Sequence, residues 1–451
     1  MSAAAEKMRR EGLPDIAIET FADYERRLRE GETGTLPESE IEPLGELPDA
    51  TELPPGGEEA LDRVVVLKLN GGLGTGMGMT RAKSLLEVKD GRSFLDIIVR
   101  QVLHLRERTG ARIPLLLMNS FATREDSLAA LARYPELEVE VPLDFVQGKV
   151  PKLLADGFEP VEWLDNPALE WAPPGHGDVY TSLATSGVLG ELLDRGYEYL
   201  FLSNADNLGA VLEPRILGWF AGQGLPLLSE VTDRTEGDKK GGHLARRRDG
   251  GGLVLRETAQ TPDEDMEAFQ DTTRHRFFNC NTIWLDLHAL RRTLDERDGV
   301  LGLPMIVNRK TVDPTDPSSP EVIQLETAMG AAIDVFEGAA ALHVPRSRFV
   351  PVKTTNELLA LRSDAYELAD DWAVRLVPAR EGRPPLVELD SKYFKLLRDF
   401  EARFAGGPPS LARCDRLSVQ GDVSFGRDVV VRGSVTVEGP RRIEDGALLQ
   451  G

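Results

Sequence analysis

Short apolar runs alternate with segments of helical period from residue 64 to about residue 362. The apolar runs predict strands and the periodic segments predict helices between them, which indicates an α/β fold with a mostly parallel sheet covered by helices on both faces. Sheets of this kind bind ligands at the carboxyl ends of their strands. The predicted strands are 64–69, 113–118, 143–146, 199–203, 226–231 and 279–285, and the predicted helices are 94–108, 123–132, 177–194 and 214–221.

The two ends of the chain follow other patterns. Residues 1–30 have apolar positions at helical spacing, whereas residues 31–59 are acidic, rich in glycine and proline and without a period, which indicates a linker or a loosely held arm. In the tail, Val423, Val429 and Val435 recur every six residues, which is typical of a parallel β-helix, with a β-meander as the alternative. We therefore divide the chain into an N-terminal helix and acidic linker, a main domain, a helical connector and a short β-helix, at residues 1–60, 61–365, 366–410 and 411–451.

The first predicted strand of the main domain ends in a loop with glycines at positions 71, 72, 74, 76 and 78, and Lys83 follows it. Glycine lets the backbone turn at positive φ and bring N–H groups against polyphosphate oxygens. The dinucleotide motif G-x-G-x-x-G does not fit, because positions 77, 79 and 81 are not glycine, and the Walker motif does not fit, because Ala82 precedes the lysine. The loop predicts nucleotide binding of another kind, with a glycine-rich hairpin that binds nothing as the alternative.

The charge of the chain limits its partners. A formal net charge of −22 over 451 residues argues against nucleic acid and anionic membranes, which are both polyanions. A bound triphosphate therefore needs local positive charge from lysines, backbone N–H groups or a divalent cation. The chain has two cysteines, no signal-peptide pattern and no apolar run near the roughly 18 residues of a membrane span, so we expect it in a reducing cytoplasm.

A series of short strings occurs in a fixed order between residues 60 and 440. They are KLNGGLGTGMG with AKS, LMNSF, PPGHGD, SNADNLGA, EVTDRT with KGGHL, FNCNTIWL, NRKT, QLETAMGAAI and VPRSRFVPVKTTNELL. This series resembles the eukaryotic-type UTP–glucose-1-phosphate uridylyltransferases, the UDP-glucose pyrophosphorylases. The resemblance implies a Rossmann-like nucleotidyltransferase fold, with residues 61–365 as the catalytic domain and a left-handed parallel β-helix at the C-terminus. It also implies that a phosphate oxygen of glucose 1-phosphate attacks the α-phosphorus of UTP, giving UDP-glucose and pyrophosphate.

The resemblance implies three catalytic residues. Lys83 would bind the β- and γ-phosphates of UTP, although this chain has Arg81 and Ala82 where the family has Gly-Pro. Lys353 would bind the phosphate of glucose 1-phosphate and stabilise the transition state. Asp206 would lie near the α-phosphate, and its carboxylate suits Mg²⁺, which prefers oxygen ligands; an Asx turn at the end of the strand is the alternative.

The other implied residues surround the base, the phosphates and the sugar. Sugar hydroxyls need donors and acceptors at fixed angles. Glu326 has an alternative place in the first turn of a helix, and Thr282 stands where the family has a second asparagine. The implied nucleotide-binding residues are Gly71, Gly72, Leu73, Gly74, Gln147 (for uracil), Gly175, His176 and Asn204, and the implied sugar-binding residues are His176, Glu230, Gly242, Asn279, Asn281, Glu326 and Phe349.

Two other functions stay open at this stage. A pyrophosphorylase for another sugar 1-phosphate, such as that of N-acetylglucosamine or galactose, would differ in pocket volume, which a sequence does not give. A non-catalytic UDP-sugar-binding protein would lose the charged groups at the phosphates, but Lys83, Asp206 and Lys353 are all present. Because a β-helix of three or four repeats needs a cap or a partner, the tail also predicts a homo-oligomer as one solution.

Overall fold

The computed structural model describes residues 2–451 of the chain. The α-helices among them are α1 (Ala3–Arg10), α2 (Asp15–Arg29), α3 (Phe94–Thr109), α4 (Arg124–Leu131), α5 (Asp178–Thr185), α6 (Val188–Asp194), α7 (Pro214–Gly222), α8 (Met266–Gln270), α9 (Leu287–Glu296), α10 (Thr355–Arg362), α11 (Ser391–Phe394) and α12 (Leu397–Arg403).

The strands follow the same chain order. They are β1 (Ile41–Pro43), β2 (Val64–Asn70), β3 (Glu87–Lys89), β4 (Arg92–Ser93), β5 (Leu115–Asn119), β6 (Asp144–Val146), β7 (Val150–Pro151), β8 (Leu153–Leu154), β9 (Trp171–Ala172), β10 (Tyr199–Asn204), β11 (Leu227–Asp233), β12 (His243–Arg247), β13 (Leu253–Arg256), β14 (Phe277–Asp286), β15 (Met305–Thr311), β16 (Glu321–Thr327), β17 (Ala340–His343), β18 (Tyr366–Leu368), β19 (Val374–Leu376), β20 (Leu386–Leu389), β21 (Ser410–Gln420), β22 (Val423–Phe425), β23 (Val430–Glu438), β24 (Arg441–Ile443) and β25 (Leu448–Gln450).

A central sheet in the order β1-β12-β14-β10-β2-β5-β6 carries the fold. Strands β10, β2, β5 and β6 run parallel, whereas β14 pairs antiparallel with β10 and with β11. Along β2, Val64 and Val66 pack into one hydrophobic cluster, and Val65 and Leu67 pack into another on the opposite face. Both faces of this strand are therefore buried, which explains its continuous apolar run. The fold is mixed α/β with a largely parallel centre.

The predicted strands and helices of the main domain correspond to elements of the structure, with one helix divided there and another divided in the N-terminal segment. The segment 177–194 forms α5 and α6, which are separated at Gly187, where φ is +80°. The N-terminal segment forms α1 and α2, which are separated near Gly12 with φ of +77° and Pro14. The helical spacing of apolar positions did not reveal either break, although a glycine stands at each of them.

The prediction of a loosely held N-terminal arm is wrong. Strand β1 pairs with β12, with Ile41 opposite Arg247. The carboxylate of Glu38 accepts a hydrogen bond from Arg256, whose side chain is 0% exposed, and contacts Arg274 and His275 as well. A buried guanidinium needs carboxylate partners, and the arm supplies the nearer one, while Asp265 lies 3.3 Å away. Residues 31–59 are therefore attached to the main domain despite their acidic composition and lack of a period.

The tail consists of parallel strands. Strands β20, β21, β23 and β25 form one parallel sheet, and β22 and β24 form a second. Val423 and Val429 are buried as the six-residue period predicts, whereas Val435 is half-buried. Neighbouring strands of a β-meander are antiparallel, so the parallel pairing excludes that alternative.

Both cysteines, Cys280 and Cys414, are buried and free. A free buried cysteine packs as a small apolar residue. Among the described residues, no helix combines the length and the apolar character that crossing a membrane requires.

We predict that Glu38→Ala lowers the free energy of unfolding by about 3 kcal/mol, because it leaves the buried charge of Arg256 without its nearest carboxylate. Denaturant unfolding followed by circular dichroism measures this change. Glu42→Ala is the matched control, since Glu42 lies exposed in the same segment. Equal stability of the two variants would contradict the anchoring role of Glu38.

Candidate active site

The glycine-rich loop follows β2 and is held by buried polar groups beneath it. The side-chain amide of Asn70 donates to Asn119 Oδ1 and to Ser127 Oγ, both at 2.7 Å. Gly74 and Gly78 have φ of +66° and +72°, a conformation that favours glycine. Within residues 2–451, no acceptor bonds to the backbone N–H groups of Gly72, Leu73 and Gly74. A row of free N–H groups is a binding surface for phosphate oxygens.

Lys83 and Asp206 meet at the mouth of this loop. The Lys83 backbone N–H donates to Gly72 O at 2.9 Å, and its side-chain Nζ lies 2.6 Å from Asp206 Oδ2. Asp206 follows β10, which runs parallel to β2 with Asn204 opposite Leu69. Because the carboxyl ends of parallel neighbours lie together, residues distant in sequence converge here. Asn204, the last residue of β10, lies at the same edge.

Lys353 reaches the site from a third segment. The Val352 N–H donates to the Asp206 carbonyl oxygen at 3.2 Å, and Pro351 forms an isolated bridge with Asn207. Lys353 is exposed, and its positive charge favours the ionised form of the nearby Glu257 carboxyl. The structure therefore brings Lys83, Asp206 and Lys353 to one site. The Asx turn in this loop is made by Asn207, whose Oδ1 accepts the Gly209 N–H at 3.1 Å.

Gln147 lies against the start of the glycine-rich loop. A Cβ on Gly71 would lie 2.8 Å from Gln147 Oε1, so this amide packs directly against the glycine backbone. The Gln147 backbone N–H donates to Asn119 O at 2.8 Å. The next residue is fixed as well, since the Gly148 N–H donates to the buried Asp178 carboxylate at 2.6 Å. The side chain of Gln147 is thus the free polar group at this end of the loop.

His176 is held in one tautomer. The Met329 N–H donates to His176 Nδ1 at 2.9 Å, so the proton of the neutral ring lies on Nε2. Desolvation by burial lowers the pKa of His176 to about 4, and the ring is therefore neutral near pH 7. Gly175 has φ of +80°, and its Cβ would lie 2.4 Å from Thr327 O. His176 can offer a neutral N–H donor to a ligand.

Two asparagines and a glutamate lie together beside Gly242. Asn279 Nδ2 donates to Asn281 Oδ1 at 3.0 Å, and Asn281 has φ of +50°, where the pairing of β14 with β11 shifts register. Such bulges redirect side chains beside active sites. The Asn279 N–H donates to Gly242 O at 3.0 Å. A Cβ on Gly242 would lie 2.7 Å from the Glu257 carboxylate, so Glu257 occupies the space that the glycine leaves.

Glu257 is the functional candidate that sequence reasoning missed. Burial raises the pKa of its carboxyl, and the positive charge of Lys353 opposes this shift. A carboxyl with a raised pKa beside a cation is typical of functional sites. The sequence held one signal, because Glu257 directly follows β13, whose first three residues, 253–255, are apolar. None of the family-like strings includes it.

Phe349 packs beneath the site. Its ring lies 5.0 Å from that of Phe278, centroid to centroid, and the side chain is buried. Phe278 in turn covers Gly241, since a Cβ there would lie 2.1 Å from the ring. The two aromatic rings therefore support the backbone before Gly242.

The position of Glu230 does not fit the predicted contact with glucose. Its side chain is 0% exposed, and its carboxylate accepts hydrogen bonds from Arg348 at 2.6 and 2.7 Å and from Trp284 at 2.9 Å. A carboxylate with both oxygens committed inside the protein has none left for a sugar hydroxyl. Glu230 is a buried structural charge beside the site.

Glu326 lies in β16, so its alternative place in a helix is wrong. Its carboxylate is 3.5 Å from Lys310 Nζ, and its Cβ lies 3.1 Å from the space that a Cβ on Gly175 would fill. Glu326 is thus a neighbour of the loop that carries His176.

The chain matches the family described as UTP–glucose-1-phosphate uridylyltransferase over residues 18–432. The uridylyltransferase of that name from Hordeum vulgare is 42% identical over 395 residues, covering 86% of this chain and 81% of the relative. That from Saccharomyces cerevisiae is 40% identical over 378 residues, covering 84% of this chain and 74% of the relative. The chain belongs to the UTP–glucose-1-phosphate uridylyltransferase family.

Solved structures support the same assignment. A variant of UDP-glucose pyrophosphorylase from Leishmania major in complex with UDP-glucose has a TM-score of 0.95 and 46% identity, covering 99% of this chain and 97% of the other. A structure from Trypanosoma brucei titled UDP-glucose phosphorylase has a TM-score of 0.91 and 45% identity, covering 100% of this chain and 99% of the other. The chain therefore shares its fold with them over almost its whole length.

The arrangement of these groups suits phosphoryl chemistry. Free N–H groups and Lys83 supply positive charge from one segment, Lys353 supplies it from another, and Asp206 lies between them. Such a set can hold two phosphorylated molecules in line and stabilise charge on the oxygens between them, without a covalent intermediate.

The neutral state of His176 predicts a pH effect on stability. Because its folded pKa is about 4 and its ordinary value is 6.5, the unfolded chain binds the proton first as pH falls, and the wild type loses stability below about pH 6.5. We expect the Tm of His176→Gln, relative to wild type, to rise from about pH 7 to about pH 5.5 in differential scanning calorimetry. His288→Gln, at an exposed histidine of α9, is the control. A difference that does not change with pH would contradict the assignment.

Proposed function

We propose that the chain transfers the uridylyl group of UTP to glucose 1-phosphate and releases pyrophosphate. The observation that carries this proposal is the convergence of Lys83, Asp206 and Lys353, from three segments, beside a row of free backbone N–H groups. The family membership of the chain gives the reaction, and this convergence gives its residues. Each segment then supplies one part of an in-line displacement.

In the proposed reaction, a phosphate oxygen of glucose 1-phosphate forms a bond to the α-phosphorus of UTP, and the bond from that phosphorus to the pyrophosphate oxygen breaks. Lys83 and the N–H groups of Gly72, Leu73 and Gly74 hold the leaving pyrophosphate. Lys353 holds the attacking phosphate and stabilises charge on the α-phosphoryl oxygens. Positioning and electrostatic stabilisation together are sufficient for such a transfer.

The two ends of the site select the two substrates. Gln147, whose amide lies against Gly71, offers a donor and an acceptor to the edge of uracil. At the other end, Asn279, Asn281 and Glu257 offer directional groups to the hydroxyls of glucose. The N–H of His176 Nε2 lies on the ring nitrogen opposite the one fixed by Met329 and serves a phosphate or sugar oxygen. Asn204 and Asp206 lie between the two ends.

We propose Mg²⁺ as the cofactor, with Asp206 as its protein ligand. Among the described residues, no group of three or more histidine, cysteine, aspartate or glutamate side chains could hold a metal ion. Mg²⁺ usually binds through one or two carboxylates and completes its shell with water and substrate phosphates, so a single partly exposed aspartate fits it. When bound, the ion neutralises negative charge on the phosphates.

Three further properties belong to this proposal. The parallel strands of the tail are consistent with coils of a left-handed β-helix, and a homo-oligomer through this tail is testable by light scattering. The charge of −22 disfavours nucleic acid and anionic membranes as partners. Two free cysteines are consistent with a cytoplasmic location.

We predict that Lys353→Ala lowers kcat/KM by about 30-fold to 1,000-fold, because a cation is lost where transition-state charge develops. Initial rates of pyrophosphate release measure this loss. Lys392→Ala is the matched control, since Lys392 is an exposed lysine in the connector. An unchanged kcat/KM would remove Lys353 from the mechanism.

The substrate assignment predicts an order of activity. Among UTP, CTP, ATP and GTP, and among the 1-phosphates of glucose, galactose and N-acetylglucosamine, we expect UTP with glucose 1-phosphate to give the highest kcat/KM. EDTA should remove activity and Mg²⁺ should restore it. A higher kcat/KM with another sugar phosphate would contradict the assignment of glucose 1-phosphate as the substrate. The absence of turnover with every pair would contradict the proposed enzymatic activity.

A further inference from the structure

Two segments that carry proposed catalytic groups are joined to each other directly by hydrogen bonds. One is the Asp206 loop, residues 204–211, and the other is the Lys353 segment, residues 346–353. The Val352 N–H donates to the Asp206 carbonyl oxygen at 3.2 Å, which joins the backbones beside the two catalytic side chains. Further contacts fix the distance between the Asp206 loop and the Lys353 segment.

Asn207 makes the largest share of these bonds. Its Oδ1 accepts the Val350 N–H at 2.9 Å and the Gly209 N–H at 3.1 Å, and its Nδ2 donates to Arg348 O at 3.2 Å. One side chain thus bonds both to its own loop and to the facing segment. Asn207 is 2% exposed and follows Asp206 directly. Burial removes water as a competing partner, so loss of these bonds would leave backbone groups unpaired.

Close backbone approach reinforces the junction. A Cβ on Gly209 would lie 2.6 Å from both the carbonyl carbon of Arg348 and the carbonyl oxygen of Ser347. The φ of Gly209 lies outside the left-handed region, so glycine is required here for space and not for conformation. Any side chain at position 209 would push the Lys353 segment away from the Asp206 loop.

Two buried basic side chains also bond to the end of the Asp206 loop. Arg348 binds the Glu230 carboxylate and also donates to Val211 O at 3.0 Å, which bonds it to the end of the Asp206 loop. The buried Lys68 of β2 donates to Ala210 O and to Ser203 Oγ, both at 2.7 Å. Both side chains therefore bind carbonyls at the end of this loop. The structural role of Glu230 explains why it is absent from the sugar side of the site.

We propose that Asn207 is a positioning residue, which acts with the close contact at Gly209 to hold Lys353 at a fixed place relative to Asp206. The inference rests on the proposed function, because Lys353 must act in the transfer for its position to matter. Asn207 touches no substrate in this scheme. Its effect on the reaction passes through Lys353, and this makes it separable from a general effect on stability.

The test is a double-mutant cycle on kcat/KM with UTP and glucose 1-phosphate. A residue that acts only through Lys353 should have little effect once Lys353 is gone, because coupled residues are not additive. We expect Asn207→Ala to lower kcat about tenfold or more in the wild type, since small misplacements of catalytic groups are costly, with less than about threefold change in KM for UTP. In a Lys353→Ala background, we expect a further loss below about threefold.

Gly209→Ala provides a second route to the same conclusion. It removes no hydrogen-bonding group, but its Cβ separates the same segments and weakens the bonds between them, so it should reproduce the kcat loss and the non-additivity with Lys353→Ala. Gly222→Ala in α7 is the matched control, because a Cβ there meets nothing within 4 Å and its φ also lies outside the left-handed region. We expect its kcat to equal that of the wild type. Assays are run well below the Tm of each variant, which circular dichroism gives.

The outcomes separate this inference from the proposed function. An inactive wild type would contradict the proposed function, whereas an active wild type with additive losses from Asn207→Ala and Lys353→Ala would contradict the positioning role alone. Unchanged kcat in folded Asn207→Ala would also overturn it. If Asn207→Ala does not fold, the double-mutant cycle with Gly209→Ala decides. A folded Gly209→Ala with wild-type kcat counts against a specific role in positioning. Failure of both variants to fold counts against it as well.

Discussion

The parallel pairing of β2 with β10 is the constraint on which the site depends. Its register sets Leu69 opposite Asn204, so that both strands end at the same edge of the sheet. The glycine-rich loop leaves one strand there, and the Asp206 loop leaves the other. No local sequence preference could join groups more than a hundred positions apart. A sheet whose strands share a direction does so because their carboxyl ends coincide.

Electrostatics explains why this edge can bind anions in an acidic chain. The net charge of −22 repels phosphates, but salt screens this repulsion at long range. At the site, N–H dipoles and two lysines act over short distances and within a partly desolvated space, where their effect is larger. The 2.6 Å contact between Lys83 and Asp206 keeps the lysine directed at the site in the absence of substrate. Local arrangement therefore outweighs net charge.

Much of the fold could be predicted from the sequence, because the strands of a doubly covered sheet are uninterrupted apolar runs. The grouping of Lys83, Asp206 and Lys353 also followed from ordered motifs. Three features could not be predicted, for physical reasons. The attachment of the arm depends on the buried charge of Arg256, and the burial of Glu230 depends on a partner distant in sequence. Glu257 was missed because its environment comes from Gly242 and Lys353, which lie on other elements.

The attachment of the arm has a consequence for the edge of the central sheet. Strand β1 is the last strand of its path, and it covers the outer side of β12. Leu36 and Ile41 bury Ala245 and Val254 beneath it. An uncovered strand with apolar neighbours is a template for intermolecular pairing. By pairing with residues 245–247 of β12, the arm removes one such unpaired segment.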